Sequence, residues 1–214
     1  MHTEAQYLVE RAKVREGLLR QHDVRSFDGG STLVLVSALA VPRLWGYLLD
    51  ATLLGFEEGL SRPHDGRVST RLHQGLDGAQ RSLRARAEAL IERRSSDVGL
   101  LALGLDGALL HVVCVGPLRA YRHGRSEPRL LTPPDARAHG LLKSSPAWCV
   151  EAVEPGDTIL AGTLATCSDA ALDRARSLLH SPGASLVEAM HVLLGASAAQ
   201  HIGGAALAMR FPKF

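Results

Sequence analysis

Residues 97–123, DVGLLALGLDGALLHVVCVGPLRAYRH, decide the fold. Val98 to Leu105 is apolar and stops at Asp106-Gly107, a dipeptide that accepts the positive φ of a tight hairpin turn. Leu109 to Val115 follows as a second apolar strand. Gly116-Pro117 interrupts it, and Leu118 to Arg122 resumes as a third. The pattern predicts a β-meander whose middle strand is apolar on both faces and therefore covered on both sides.

Working outward, Ser31 to Ala40 (STLVLVSALA) reads as another buried strand. Pro42 fits the first turn of a helix running to Leu60, apolar over much of its surface. Val68 to Arg93 reads as an amphipathic helix, with Leu72, Leu76, Ala79, Leu83, Ala87 and Leu90 as its stripe, and with Gly75 and Gly78 weakening its start. Met1 to Gln21 is ambiguous, helical by its charges and strand-like over Ala5 to Val9. Beyond the meander lie a loop from Arg125 to Pro146, strands at Trp148–Ala152 and Thr158–Leu164, helices at Ala170–His180 and Ser185–Ala196, and a last strand at Ala205–Phe211. Helix pairs beside antiparallel strands predict an α+β chain: a four-layer α-β-β-α sandwich of two mostly antiparallel sheets flanked by helix pairs, with residues 1–214 as one domain.

Composition excludes several classes. The 214 residues are 46% hydrophobic but only 4% aromatic, so Leu, Val and Ala must build the core. A net charge of +2 and scattered arginines argue against nucleic acid. No apolar run reaches the ~18 residues of a membrane helix, and the polar start does not resemble a secretion signal, so no membrane partner and a cytoplasmic location are expected. Cys114, Cys149 and Cys167 lack metal spacing and read as inert thiols. The ten histidines form no HxH or HExxH pattern, and no nucleophile motif is present.

Three stretches carry a resemblance. Residues 105–124, LDGALLHVVCVGPLRAYRHG, keep Val115, Gly116, Arg119, Ala120 and Tyr121 of a "V-G-D-S-R-A-Y" turn, followed by LLTPPD at 130–135. EPGDTILAG at 154–162 matches "x-P-G-D-x-L-L-L-C", and AALAMRF at 205–211 matches a closing strand. Together they resemble the metal-dependent (type 2C) protein phosphatases. That resemblance implies the sandwich fold and two Mn or Mg ions held by carboxylates, which activate water against a phosphomonoester.

The ligand positions depart from that pattern. The family's "D-G-x-x-G" falls on Ala38 and Leu39, its "S-D-G" places the Asp on Leu164, and its closing "D-N" falls on Ile202 and Gly203. Ser168-Asp169 fits a helix cap better than a replacement. The N-terminal "V-R-x-x-N-x-D" aligns with Val14 to Arg20, which puts the phosphate-binding Arg at Arg15 and replaces the ligand Asp by Arg20. A shifted alignment offers Asp23 instead but leaves the Arg unmatched. Aliphatic side chains cannot ligate a hard cation, so no cofactor and no metal ligands are expected. If a metal remains, Asp23 and His201 are the residues to test.

The reading is thus a degenerate member, a catalytically inactive pseudophosphatase. It would bind or scaffold a protein partner, such as a phosphoprotein or kinase-pathway component in bacterial Ser/Thr signalling, with Arg15 and Arg20 as phosphate-binding residues. Two alternatives stay open: residual metal-dependent phosphatase activity through a non-standard site, and a structural subunit that uses the fold only as an interaction surface.

Overall fold

The structure, a computed structural model, describes residues 3–15, 17–90, 96–124, 128–135, 139–181, 183, 185–199 and 203–211. Twelve strands and four α-helices lie within them. In chain order they are β1 (Glu4–Glu10), β2 (Ala12–Val14), β3 (Gly17–Leu19), β4 (His22–Phe27), β5 (Thr32–Leu39), α1 (Trp45–Leu60), α2 (Val68–Glu88), β6 (Asp97–Asp106), β7 (Leu109–Val115), β8 (Leu118–His123), β9 (Arg129–Leu130), β10 (Ala147–Ala152), β11 (Thr158–Thr163), α3 (Asp169–Leu179), α4 (Leu186–Ala199) and β12 (Gly204–Arg210). One antiparallel sheet has the order β10-β7-β6-β5-β4, the other β1-β12-β11-β8-β9, and β2–β3 is a separate hairpin.

Side-chain alternation explains the layers. Val34, Val36 and Ala38 of β5, with Val98, Leu100 and Ala102 of β6, face α1 and α2. Their neighbours Leu33, Leu35, Leu101 and Leu103 face the second sheet, where they meet Ile159, Ala161, Ala205, Leu207 and Met209. The opposite faces of β11 and β12, through Leu160, Ala206 and Ala208, pack on α3 and α4. Strands apolar on every residue are therefore strands with a core on each face. This is the expected four-layer sandwich.

Several expectations need correction. The third strand of the meander does not pair with the second: β8 leaves the first sheet and joins β11 and β9 in the other. Gly116 (φ +95°) makes the switch, lying so close to Gly99 that a Cβ would sit 2.7 Å from its Cα, and Pro117 has no N–H to continue the ladder. The hairpin turn is Gly107-Ala108, flanked by the Asp106–Leu109 pair, with positive φ at Gly107 alone; this is the II′ pattern. Residues 4–10 are strand. Helix α2 stops at Glu88 rather than Arg93, which lies outside the described residues.

Gly75 and Gly78 have a packing role. With Gly55 and Gly59 of α1 they let the two helices touch backbone to backbone: a Cβ on Gly78 would lie 2.0 Å from the Gly55 carbonyl oxygen, and one on Gly59 2.1 Å from that of Gln74. The Arg125–Pro146 loop contains β9 and a turn docked on β6. There the buried Asp97 carboxylate accepts N–H groups from Val98, Gly140 and Leu142 at 2.8, 2.9 and 3.0 Å.

Candidate functional site

The strand ends β4, β5, β11 and β12 meet at one end of the sandwich. Within the first sheet, the Ala38 N–H donates to the Gln21 carbonyl (2.9 Å), which sets the end of β5 beside the start of β4. Between the sheets, His22 on β4 reaches the Gly203 carbonyl with Nε2 at 2.9 Å. Gly203 packs on Ala12, where a Cβ would lie 2.9 Å from the backbone nitrogen. The β2–β3 hairpin projects from this same end.

The residues singled out from the sequence that the structure describes can be placed against this frame. Ala38 is buried and offers a methyl group; Leu39 is half-buried and pairs with Asp97. Leu164 is 38% exposed at the turn after β11, its N–H bonded to the Pro117 carbonyl at 3.2 Å. Gly203 has no side chain, and Ile202 and His201 lie outside the described residues. Asp169 is the exposed first residue of α3, with Ser168 as its N-cap.

Asp23 stands on β4 beside the end of β5, and both its oxygens are engaged. Oδ1 accepts the Val24 N–H at 2.9 Å, and Oδ2 accepts the Arg20 guanidinium at 3.0 Å. Arg20 also donates to Asp50 of α1 at 2.6 Å. Arg15 is exposed with φ 54° at the turn of the β2–β3 hairpin, whereas Arg20 follows its base. The two arginines thus sit at opposite ends of the hairpin, about 10 Å of strand apart, and the structure does not bring them into one pocket.

A hydroxyl and an imidazole supply further polar contacts at this end of the sandwich. Thr166 Oγ1 donates to the Thr163 carbonyl (2.8 Å) and lies 3.2 Å from that of Ala205, which pins the turn after β11 to β12. His22 is buried, and its Nδ1 has no partner among the described residues. Burial, opposed by the Gly203 hydrogen bond, lowers its pKa to about 4, so the ring is neutral near pH 7. Cys167, behind the same turn, is pushed up to about 12 by burial and is not a nucleophile.

The sequence reading did not single out Asp50, Asp97 or His22. Asp50 had a visible signal: an acid inside the apolar run WGYLLDATLL needs a partner. The roles of Asp97 and His22 depend on contacts with Gly140 and Gly203, which sequence spacing does not supply.

No protein-family model and no curated protein matches the chain. Solved structures do, as folds. The catalytic domain of the serine/threonine protein phosphatase PstP, in complex with two manganese ions, superposes with a TM-score of 0.81 at 14% identity, covering 99% of each chain. PppA, a key regulatory component of T6SS in Pseudomonas aeruginosa, gives 0.78 at 13% over 98% of each chain. The PPM Ser-Thr phosphatase MsPP from Mycobacterium smegmatis, in complex with cacodylate, gives 0.67 at 17%, covering 97% of this chain and 98% of that one. The fold of this chain is therefore the PPM (type 2C) phosphatase fold.

Two hard divalent ions need several anionic oxygens. Among the described residues no group of three or more His, Cys, Asp or Glu converges. Asp23, a carboxylate beside the family's ligand positions, already carries a guanidinium that would repel a metal brought to it. The described residues do not fit a two-metal centre.

Proposed function

We propose that this chain is a pseudophosphatase: a binding or scaffold protein on the PPM fold that does not hydrolyse phosphoesters. The observation that carries this reading is the Arg20 bridge. An internal cation joins Asp23 to Asp50 at 3.0 and 2.6 Å beside Ala38, where the family keeps an acid. Exposed leucines support a protein partner: Leu18 and Leu19 on the β2–β3 hairpin, at 62% and 37%, and Leu164 at the turn after β11, at 38%. A phosphoprotein or kinase-pathway component fits the setting of the structural neighbours, several of which are bacterial Ser/Thr phosphatases.

Hydrolysis of p-nitrophenyl phosphate with and without Mn²⁺, with calorimetric titration of the metal, tests the reading. The expected result is no metal-dependent turnover and no stoichiometric Mn²⁺ binding; turnover that saturates with Mn²⁺ overturns it. Capture of a phosphoprotein partner, compared between wild type, Arg15→Ala and Arg20→Ala, tests the phosphate-binding role. Retention by both variants removes that role from these residues.

A further inference from the structure

The opposite end of the second sheet carries a cleft of about 360 Å³ that the reading above does not use. It lies between the end of β8, the start of β11 and the last turn of α3, and is lined by His123, Gly124, Gly156, Thr158, Arg176 and His180. β8 runs from Leu118, paired with Thr163 at the candidate site, to His123, paired with Thr158. The two sites are therefore separated by the length of a strand, roughly 17 Å.

His123 and Thr158 are cross-strand partners, so their side chains share a face. It is the face on which Tyr121 and Leu160, the next partners along, pack against α3 and α4. His123 is only 5% exposed, and both its ring nitrogens lack a partner among the described residues. A buried imidazole with two unused polar atoms is uncommon unless something else is meant to meet them.

The charges around it are mostly positive. Arg176 and His180 reach the cleft from α3. Asp157, the residue before β11, is committed to the Arg122 guanidinium at 2.9 Å and the Glu154 N–H at 2.8 Å. The α3 C-terminus adds partial negative charge, and the His180 ring nitrogen Nδ1 covers one of its carbonyls, that of Arg176, at 2.8 Å.

We propose that this cleft is a second, phosphate-binding site, in which Arg176, His123 and His180 hold a phosphate group carried by a small phosphorylated molecule or by a phosphorylated side chain. The guanidinium supplies the forked contact that suits a phosphate. The volume lies near the lower end of small-molecule sites, which suits a phosphate with a small organic group. Burial, reinforced by Arg176 and His180 and opposed only by Asp173, lowers the His123 pKa to about 4. A bound anion removes that penalty by pairing the ring.

Calorimetry tests the proposal on the whole chain. Inorganic phosphate, phosphoserine and a phosphoserine peptide are titrated at chloride-matched ionic strength into wild type, Arg176→Ala, His180→Ala and, as a control, Arg62→Ala in an exposed loop. Binding of phosphate or phosphoserine by wild type, weakened about tenfold or more by Arg176→Ala and unchanged by Arg62→Ala, supports the site. Tighter binding of the peptide than of inorganic phosphate assigns the source to a protein; equal binding assigns it to free phosphate. Arg176→Lys, which keeps the charge without the fork, recovers part of the affinity and guards against a folding artefact. No binding of any of the three, or binding that Arg176→Ala leaves unchanged, overturns the proposal.

Discussion

Acid will loosen this protein in part through His22, and replacing that histidine with glutamine will remove its share of the loss. His22 is 4% exposed, its Nε2–H held by the Gly203 carbonyl at 2.9 Å and its Nδ1 unpartnered among the described residues. Protonation would place a second N–H where no acceptor stands, inside a desolvated wall. The folded ring therefore titrates at about 4 instead of 6.5. At 1.36 kcal/mol per decade of proton affinity, that gap corresponds to about 3 kcal/mol. The sign follows from which state binds the proton first. The unfolded chain takes it up as pH falls below 6.5 and the folded chain does not, so stability is intact above that value, declines toward about pH 4 and then levels off. By about pH 4.5 the loss amounts to roughly 2.5 kcal/mol, a large share of a stability of 5–15 kcal/mol. In His22→Gln the amide N–H can replace Nε2–H against Gly203 without titrating. Urea unfolding of both proteins near pH 7.5 and 4.5 isolates the effect, because the other titrating groups, His123 among them, are common to both. The gap between them should move by about 2.5 kcal/mol in favour of the variant. Equal losses in the two proteins would refute the reasoning.

Three further outcomes follow from the packing. Gly78→Ala puts a methyl 2.0 Å from the Gly55 carbonyl oxygen; prising the helices apart outweighs the gain in helix propensity and costs about 2 kcal/mol, or some 4–8 °C in melting temperature. An unchanged melt would show that the α1–α2 contact yields easily. Cys114 and Cys167, both pushed up to about 12 by burial, should stay silent to a disulfide reagent until the protein unfolds, leaving half-buried Cys149 to react first. Prompt labelling of Cys167 in the native state would contradict its burial. Asp97→Ala strips the acceptor from three N–H groups and should cost at least about 2 kcal/mol. It should also speed proteolytic cutting at 139–144, and resistance there would mean that the turn is held by other contacts.

The layers were legible in the sequence because burial leaves a periodic mark. STLVLVSALA and LLHVVCV, apolar at consecutive residues, read as a buried strand and as a strand covered on both sides. What periodicity does not encode is which strand pairs with which. A break at Gly116-Pro117 looks the same whether the next strand folds back beside its neighbour or crosses to the other sheet, and here it crosses. Propensity likewise marks Gly75 and Gly78 as weak helix formers, whereas their use is a contact with another helix. At the candidate site, the aliphatic residues at Ala38, Leu39 and Leu164 were readable one by one. The Arg20–Asp23–Asp50 bridge was not, because Arg20 and Asp50 lie 30 residues apart and meet only once α1 packs on β4 and β5.

The two sheets differ in when they can form. Between residues 22 and 115, β4, β5, β6 and β7 pair each with the next in sequence, so most of the first sheet and its helix pair can assemble from one contiguous segment. The second sheet has no such shortcut. Its last strand in sequence, β12, enters between β1 and β11, and the pairing Glu4–Arg210 spans nearly the whole chain. Contacts of that separation form slowly. A folding chain will therefore pass through a stage in which Leu33, Leu35, Leu101 and Leu103 have a finished sheet around them but no second sheet against them. In pulsed hydrogen exchange, protection should reach β5 and β6 before β1 and β12. The wall of the candidate site contributed by Gly203 and the turn after β11 would be the last part to take shape.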